Sequence, residues 1–196
     1  MSQIRYLWGG WLLLIALIVP FVCVPTSAQA PRPPDNKLNL NAALVLSPEF
    51  CTTKIAKKQG NSRETFEVGK AACSEFPPAL AEVFLSLVRV SNESSPGKAH
   101  VVLVPTIVDI SATIPKTAFS DCELVVLVEW TVKDESGKTV WSESVQGTAK
   151  RHYGTAFNAG HNRKELTEDA LKEVALQSAS KMLVSPELRN LAGENN

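Results

Sequence analysis

The sequence predicts an α+β domain: one mostly antiparallel sheet of about five to seven strands packed by two main helices, after an N-terminal signal peptide. Three observations carry this. Leu124, Val126, Val128, Trp130 and Val132 alternate with residues that turn polar at Glu129, Thr131 and Lys133, and Asp134-Glu135-Ser136-Gly137-Lys138 then leads into Thr139, Val140 and Trp141. Period-two alternation around a Gly-containing loop is a hairpin signal. Two other stretches, one before and one after the hairpin, repeat apolar residues at steps of three and four, the spacing of helices with one buried stripe. Between these lie short apolar runs closed by Pro, Gly and Asn, the pattern of strands.

Taken in order, residues 40–46 form a first strand, stopped at Ser47-Pro48-Glu49 by a turn or a short helical cap. Residues 52–56 make a weaker strand, with Lys57 and Lys58 heading a loop. Residues 65–68 make another. Ala72, Phe76, Leu80, Val83, Phe84 and Leu87 mark the first helix, which either starts near Phe76 with Ser74 as cap or kinks at Pro77-Pro78. Residues 100–110 read as a long strand with a bulge or an edge at Pro105. The return strand of the hairpin fades through Gly147 to residue 150, and residues 154–160 form a loop. The last helix starts at Thr167 as N-cap. It buries Leu171, Val174, Ala175, Ala179 and Met182 and turns Glu173, Gln177 and Lys181 to water. Ser185-Pro186 opens a short terminal turn.

The first 28 residues concern location. Arg5 precedes an apolar run from residue 6 to residue 24, and small residues follow at Thr26, Ser27 and Ala28. This is the layout of a cleaved secretory signal. Residues 1–28 are therefore read as signal peptide, 29–37 as a Pro-rich linker and 38–192 as one domain. An uncleaved anchor is the competing reading, because this 19-residue run, broken only by Gly9, Gly10 and Pro20, comes near the length of a membrane span. Cys23 invites lipidation, but Val22 and Pro20 stand where a small residue and Leu are normally required. Membrane contact is thus expected only if Cys23 is lipidated or the signal stays uncleaved.

After cleavage the chain carries 19 Lys and Arg against 20 Asp and Glu. No net basic field remains to hold nucleic acid. Cys51, Cys73 and Cys122 remain, with no Cys-x-x-Cys pair, which excludes common zinc and thioredoxin spacings. An oxidising compartment allows one disulfide and one free thiol. Cys51–Cys73 is the first choice among three pairings, and three unbridged thiols are the alternative.

Residues 123–134, with Ser136-Gly137-Lys138 and Val140-Trp141, resemble small bacterial cell-envelope lipoproteins of the YajG kind. The strand ending at Ser47-Pro48-Glu49, the Val68-Gly69 that opens a helix toward Phe84, and a C-terminal helix from Thr167 to Met182 extend the likeness. The resemblance implies an accessory or assembly role in the envelope and carries over no catalytic residue.

No catalytic, cofactor-binding or metal-binding set is expected. His100, His152 and His161 form no helical ligand pair, although Arg151 and Arg163 lie near the last two. Cys122 with His152 is a conceivable nucleophilic pair, but Asp121 and Glu123 would raise that thiol's pKa. Asp109 lacks a partner motif, and the Asn92-Glu93-Ser94 sequon has little weight because the resemblance implies a bacterial protein. Trp130 and Trp141 are either packed across the hairpin or, if one is exposed, a partner contact. The expected function is non-enzymatic: an exported protein, periplasmic or outer-membrane-associated, that binds another envelope protein or complex, using the hairpin edge. A soluble module for a lipid or glycan is the alternative, and a hydrolase or thiol enzyme comes third.

Overall fold

The computed structural model describes residues 37–59, 62–94, 97–114, 120–152 and 159–193. All of them belong to the unit Pro33–Asn196. The expected signal peptide, the linker before Lys37 and residues 154–158 of the expected loop lie outside the described residues.

The elements run β1 (Leu38–Val45), α1 (Pro48–Cys51), β2 (Ile55–Gln59), β3 (Ser62–Phe66), α2 (Val68–Ala81), β4 (Phe84–Val90), β5 (Val101–Thr113), β6 (Asp121–Asp134), β7 (Thr139–His152), α3 (Ala159–Val184) and α4 (Pro186–Leu191). Five strands form one mixed sheet in the order β4-β1-β5-β6-β7, and β2 pairs with β3 in a separate hairpin. This realises the predicted α+β class. β5, β6 and β7 make an antiparallel meander, whereas β1 pairs in parallel on both of its sides.

Alternation fixes the buried face. Leu124, Val126, Val128, Trp130 and Val132 on β6 are all fully buried, beneath α2 and α3. Phe76 of α2 meets Trp130 with ring centroids 4.9 Å apart. On α3, Leu171, Val174, Ala175 and Met182 are buried, as their spacing predicts. β7 passes so close beneath α3 that a Cβ on Gly147 would stand 2.2 Å from the Ala170 carbonyl oxygen. Gly69 plays the same part where α2 meets α1, its absent Cβ leaving room for the Phe50 carbonyl oxygen.

Several expectations need correction. Of the two readings of the first helix, the start near Phe76 is overturned and the longer helix holds: it begins at Val68, with both Pro77 and Pro78 inside it. Each internal proline costs about 3 kcal/mol. Burial of Phe76 and Leu80, at about 1.5–3 kcal/mol each, offsets that cost. The helix then ends, and Phe84 and Leu87 belong to β4, because the apolar spacing of the helix continues by coincidence into a strand. Lys57 and Lys58 lie within β2 rather than in a loop. In β5 the irregularity falls between Ile107 and Asp109, and Pro105 keeps regular register with Trp130. β1 pairs no further than Leu103, so Pro105 sits where β1 no longer borders β5.

Thr167 is no N-cap. It is buried inside α3, where its hydroxyl donates to the Arg163 carbonyl, 2.7 Å away. β7 runs through Gly147 to His152. Ser47 and Ser185 do cap short helices, accepting from the amides of Phe50 and Leu188.

The hairpin turn is organised by Asp134. Its Oδ1 accepts from the Ser136 amide at 2.9 Å, the Ser136 hydroxyl at 2.6 Å and the Lys138 amide at 3.0 Å, and Gly137 supplies a φ of 82°. The Ser136 hydroxyl, chiefly, holds this carboxyl below its usual pKa. A depressed folded-state pKa stabilises above the unfolded value, about 3.9, and that contribution is lost as pH falls through the folded value. Asp134→Ala should therefore lower Tm at pH 7, and the gap to wild type should close on titration toward pH 2. A gap constant across that range would contradict this role.

Candidate functional site

The two halves of the sheet differ on the face away from α2 and α3. Along β6 and β7 that face is polar: Thr131 lies opposite Ser142, Glu129 opposite Ser144 and Leu127 opposite Gln146. Along β4, β1 and β5 it is polar at one end, where Asn41 pairs with Ser86, and apolar beyond. Ala43 stands between Val88 and Val102, and Val45, two residues on, pairs with Val90. Val104 follows Val102 by two residues and so shares the face. The other side of the same strands is apolar too, since Leu44 and Leu103 are fully buried under the helices.

Parallel strands that are apolar on both faces normally carry helices on both. On this second face Ala43 and Val102 are buried at the centre, Val45, Val90 and Val104 are half-buried, and Val88 stays 58% exposed. β4 is also an edge strand, and Leu85 on it is 61% exposed. The polar boundary is formed by Thr131 and by Lys133, whose Nζ pairs with Glu93 at 2.5 Å. An unpaired strand edge with exposed apolar side chains invites pairing with another chain.

The opposite edge is occupied. Glu173 of α3 accepts the Thr148 amide at 2.6 Å, Gln177 donates to Glu173, and Lys181 pairs with Glu143 of β7. These three helix residues were expected to face water; instead they close the β7 edge. The hairpin edge expected to receive a partner is thus partly filled by the protein itself. Trp130 is fully buried and Trp141 is 9% exposed, so the packed arrangement holds and neither ring offers a contact surface.

The other candidate residues are dispersed. His100 Nδ1 accepts the Asn41 amide at 3.2 Å, His152 Nδ1 lies 3.3 Å from Asp121, and His161 Nε2 lies 3.1 Å from Glu165. Among the described residues, no three His, Cys, Asp or Glu side chains come together as metal ligands. Asp109 is exposed, 3.7 Å from Lys57. Cys122 is a free, buried thiol, and burial, rather than its acidic neighbours, pushes its pKa up. Cys51 and Cys73 are joined in a disulfide.

A cleft of about 400 Å³ opens between the end of β3 and the first turns of α2 and α3. Lys54, Lys70, Arg163 and Lys164 line it, with Glu67 and Glu168. Its charges are largely matched internally. Lys54 lies 2.6 Å from Glu67, Lys164 lies 3.6 Å from Glu168, and Arg163 pairs with Glu64. Lys54, by hydrogen bond and charge, holds the Glu67 carboxyl below its usual range.

The apolar face was missed in the sequence because β4 was read as the tail of a helix. One signal pointed to it: Leu87, Val88 and Val90 are rich in β-branched residues and follow a helix already weakened by two prolines.

No family model matches the chain, and a comparison with curated proteins returns no match. Among solved structures, the chain is similar to a Xanthomonas campestris protein assigned to the DUF330 family. The TM-score is 0.57 and the identity 10%, over 85% of this chain and 93% of that one. It is also similar to a protein from Caulobacter crescentus described as a lipoprotein (TM-score 0.47, 16% identity, 67% and 88% covered) and to a minor lipoprotein from Acinetobacter baumannii (0.45, 12%, 76% and 93%). At these identities the likeness concerns the fold alone.

Proposed function

We propose that the protein is a non-enzymatic, exported accessory protein of a bacterial cell envelope, related to lipoproteins of the YajG kind, that binds another envelope protein. One observation carries this reading: the second face of the parallel half bears a row of valines that ends in exposed Val88, beside the open β4 edge. A protein partner presenting an apolar strand or face would bury Val88, Val90, Val45 and Val104 and pair with the β4 edge. The N-terminal apolar run and the lipoprotein descriptions of two fold neighbours agree with an envelope location. The test is crosslinking in the native cell, purification of the tagged protein and mass spectrometry. A reproducible envelope protein joined through β4 is expected. Recovery of the protein alone from the soluble periplasm would overturn the reading.

The charged cleft favours a second reading, a small-ligand module. A thermal-shift screen with lipids and glycans decides it, since a bound ligand raises Tm by mass action.

A further inference from the structure

The Cys51–Cys73 disulfide has chemically unequal ends. Cys51 closes α1, and Cys73 lies in the body of α2. Arg89, from the edge strand β4, donates from Nη2 to the Sγ of Cys51 at 2.9 Å. Among the described residues no carboxylate forms a salt bridge with Arg89, so its charge is free to act on the sulfur. Both cysteines are partly exposed, within reach of a small thiol.

We propose that this disulfide is a directional thiol-exchange site, in which Cys73 is the attacked sulfur and Cys51 the leaving thiolate. The substrate class is a small thiol or the dithiol of an oxidoreductase. An incoming thiolate attacks Cys73 Sγ and forms a mixed disulfide. The Cys51–Cys73 bond breaks, and its electron pair leaves on Cys51 Sγ beside the Arg89 guanidinium. A second thiolate attacks the incoming group's sulfur in the mixed disulfide, releasing the oxidised reductant and a Cys73 thiolate that takes a proton from water. Two electrons pass from the reductant to the cysteine pair. A leaving thiol of lower pKa departs faster, and a neighbouring cation lowers a thiol pKa.

The local fold should survive reduction. Gly69 donates its amide to the Thr53 carbonyl at 3.0 Å and seats α2 against the Phe50 carbonyl, so α1 and α2 stay packed without the bridge.

The test uses the intact, oxidised chain with limiting glutathione, quenched with N-ethylmaleimide and mapped by mass spectrometry. Glutathione is expected on Cys73 and maleimide on Cys51, with roughly a tenfold preference. In parallel, the reduced chain is alkylated with iodoacetamide across pH. Cys51 is expected to react at a midpoint about one pH unit below Cys73, with buried Cys122 last. Arg89→Gln should abolish that gap, and Arg89→Lys should keep part of it. Glutathione found mainly on Cys51, equal midpoints in the wild type, or a gap unchanged in Arg89→Gln would each overturn the proposal.

Discussion

Gly147→Ala is expected to destabilise the protein by about 3 kcal/mol, the upper end of the usual cost of overpacking. The added Cβ would meet the Ala170 carbonyl oxygen at 2.2 Å, Val174 Cγ2 at 2.7 Å and the Val174 nitrogen at 2.9 Å. Two of these are backbone atoms, which no rotamer change can move. Either α3 lifts off β7 or β7 bends away from it. Both responses open the core around Val145, Ala149, Leu171 and Val174. Urea unfolding checks this through a fall in the midpoint with little change in slope. A loss below about 0.5 kcal/mol, the range of an ordinary surface substitution, would mean that the helix does not rest on the strand.

Trp130→Ala is expected to cost about 3–5 kcal/mol, the range for a large buried aromatic. The ring is fully buried and packs against Phe76, so truncation leaves a cavity at the contact between α2 and β6. Among the described residues its indole Nε1 has no hydrogen-bond partner. Leaving a buried donor unsatisfied costs about 1–3 kcal/mol. Trp130→Phe removes that donor along with some volume, and should therefore cost clearly less than Trp130→Ala. Equal losses in the two variants would show that the benzene ring does not fill the site against Phe76. Trp141→Ala, nearer the turn and slightly exposed, should fall below Trp130→Ala.

The physical reasons for what could be read ahead are local. The hairpin was legible because alternation and an Asp-x-x-Gly-Lys turn both act over short range. The short capped helices at Ser47 and Ser185 were legible because Ser-Pro fixes a helix start by its own chemistry. The valine-rich sheet face was not, because it depends on which strands become neighbours. Nothing in residues 84–90 states that they pair in parallel with residues 38–45, across an intervening helix and hairpin. Glu173, Gln177 and Lys181 have a polar spacing that fits open solvent equally well. Only the position of β7 beside α3 makes them a guard for that edge. Gly147 read as the weakening of a strand, whereas it is the point at which a helix crosses closest.

The asymmetry of the two sheet edges singles out the proposed docking face. At one edge, α3 side chains engage the backbone and side chains of β7; at the other, β4 leaves Leu85 and Val88 in water beside a sheet face of valines. Val88→Glu and Ser144→Glu place the same charge on the same face of the sheet, one on the apolar half and one on the polar half. The direct measurement is partner recovery by in-cell crosslinking and mass spectrometry for wild type and these two variants, alongside their Tm values. Loss of the partner in Val88→Glu alone, with both variants as stable as the wild type, is the predicted result. Undiminished partner recovery from a folded Val88→Glu protein would contradict the assignment of this face as the interface.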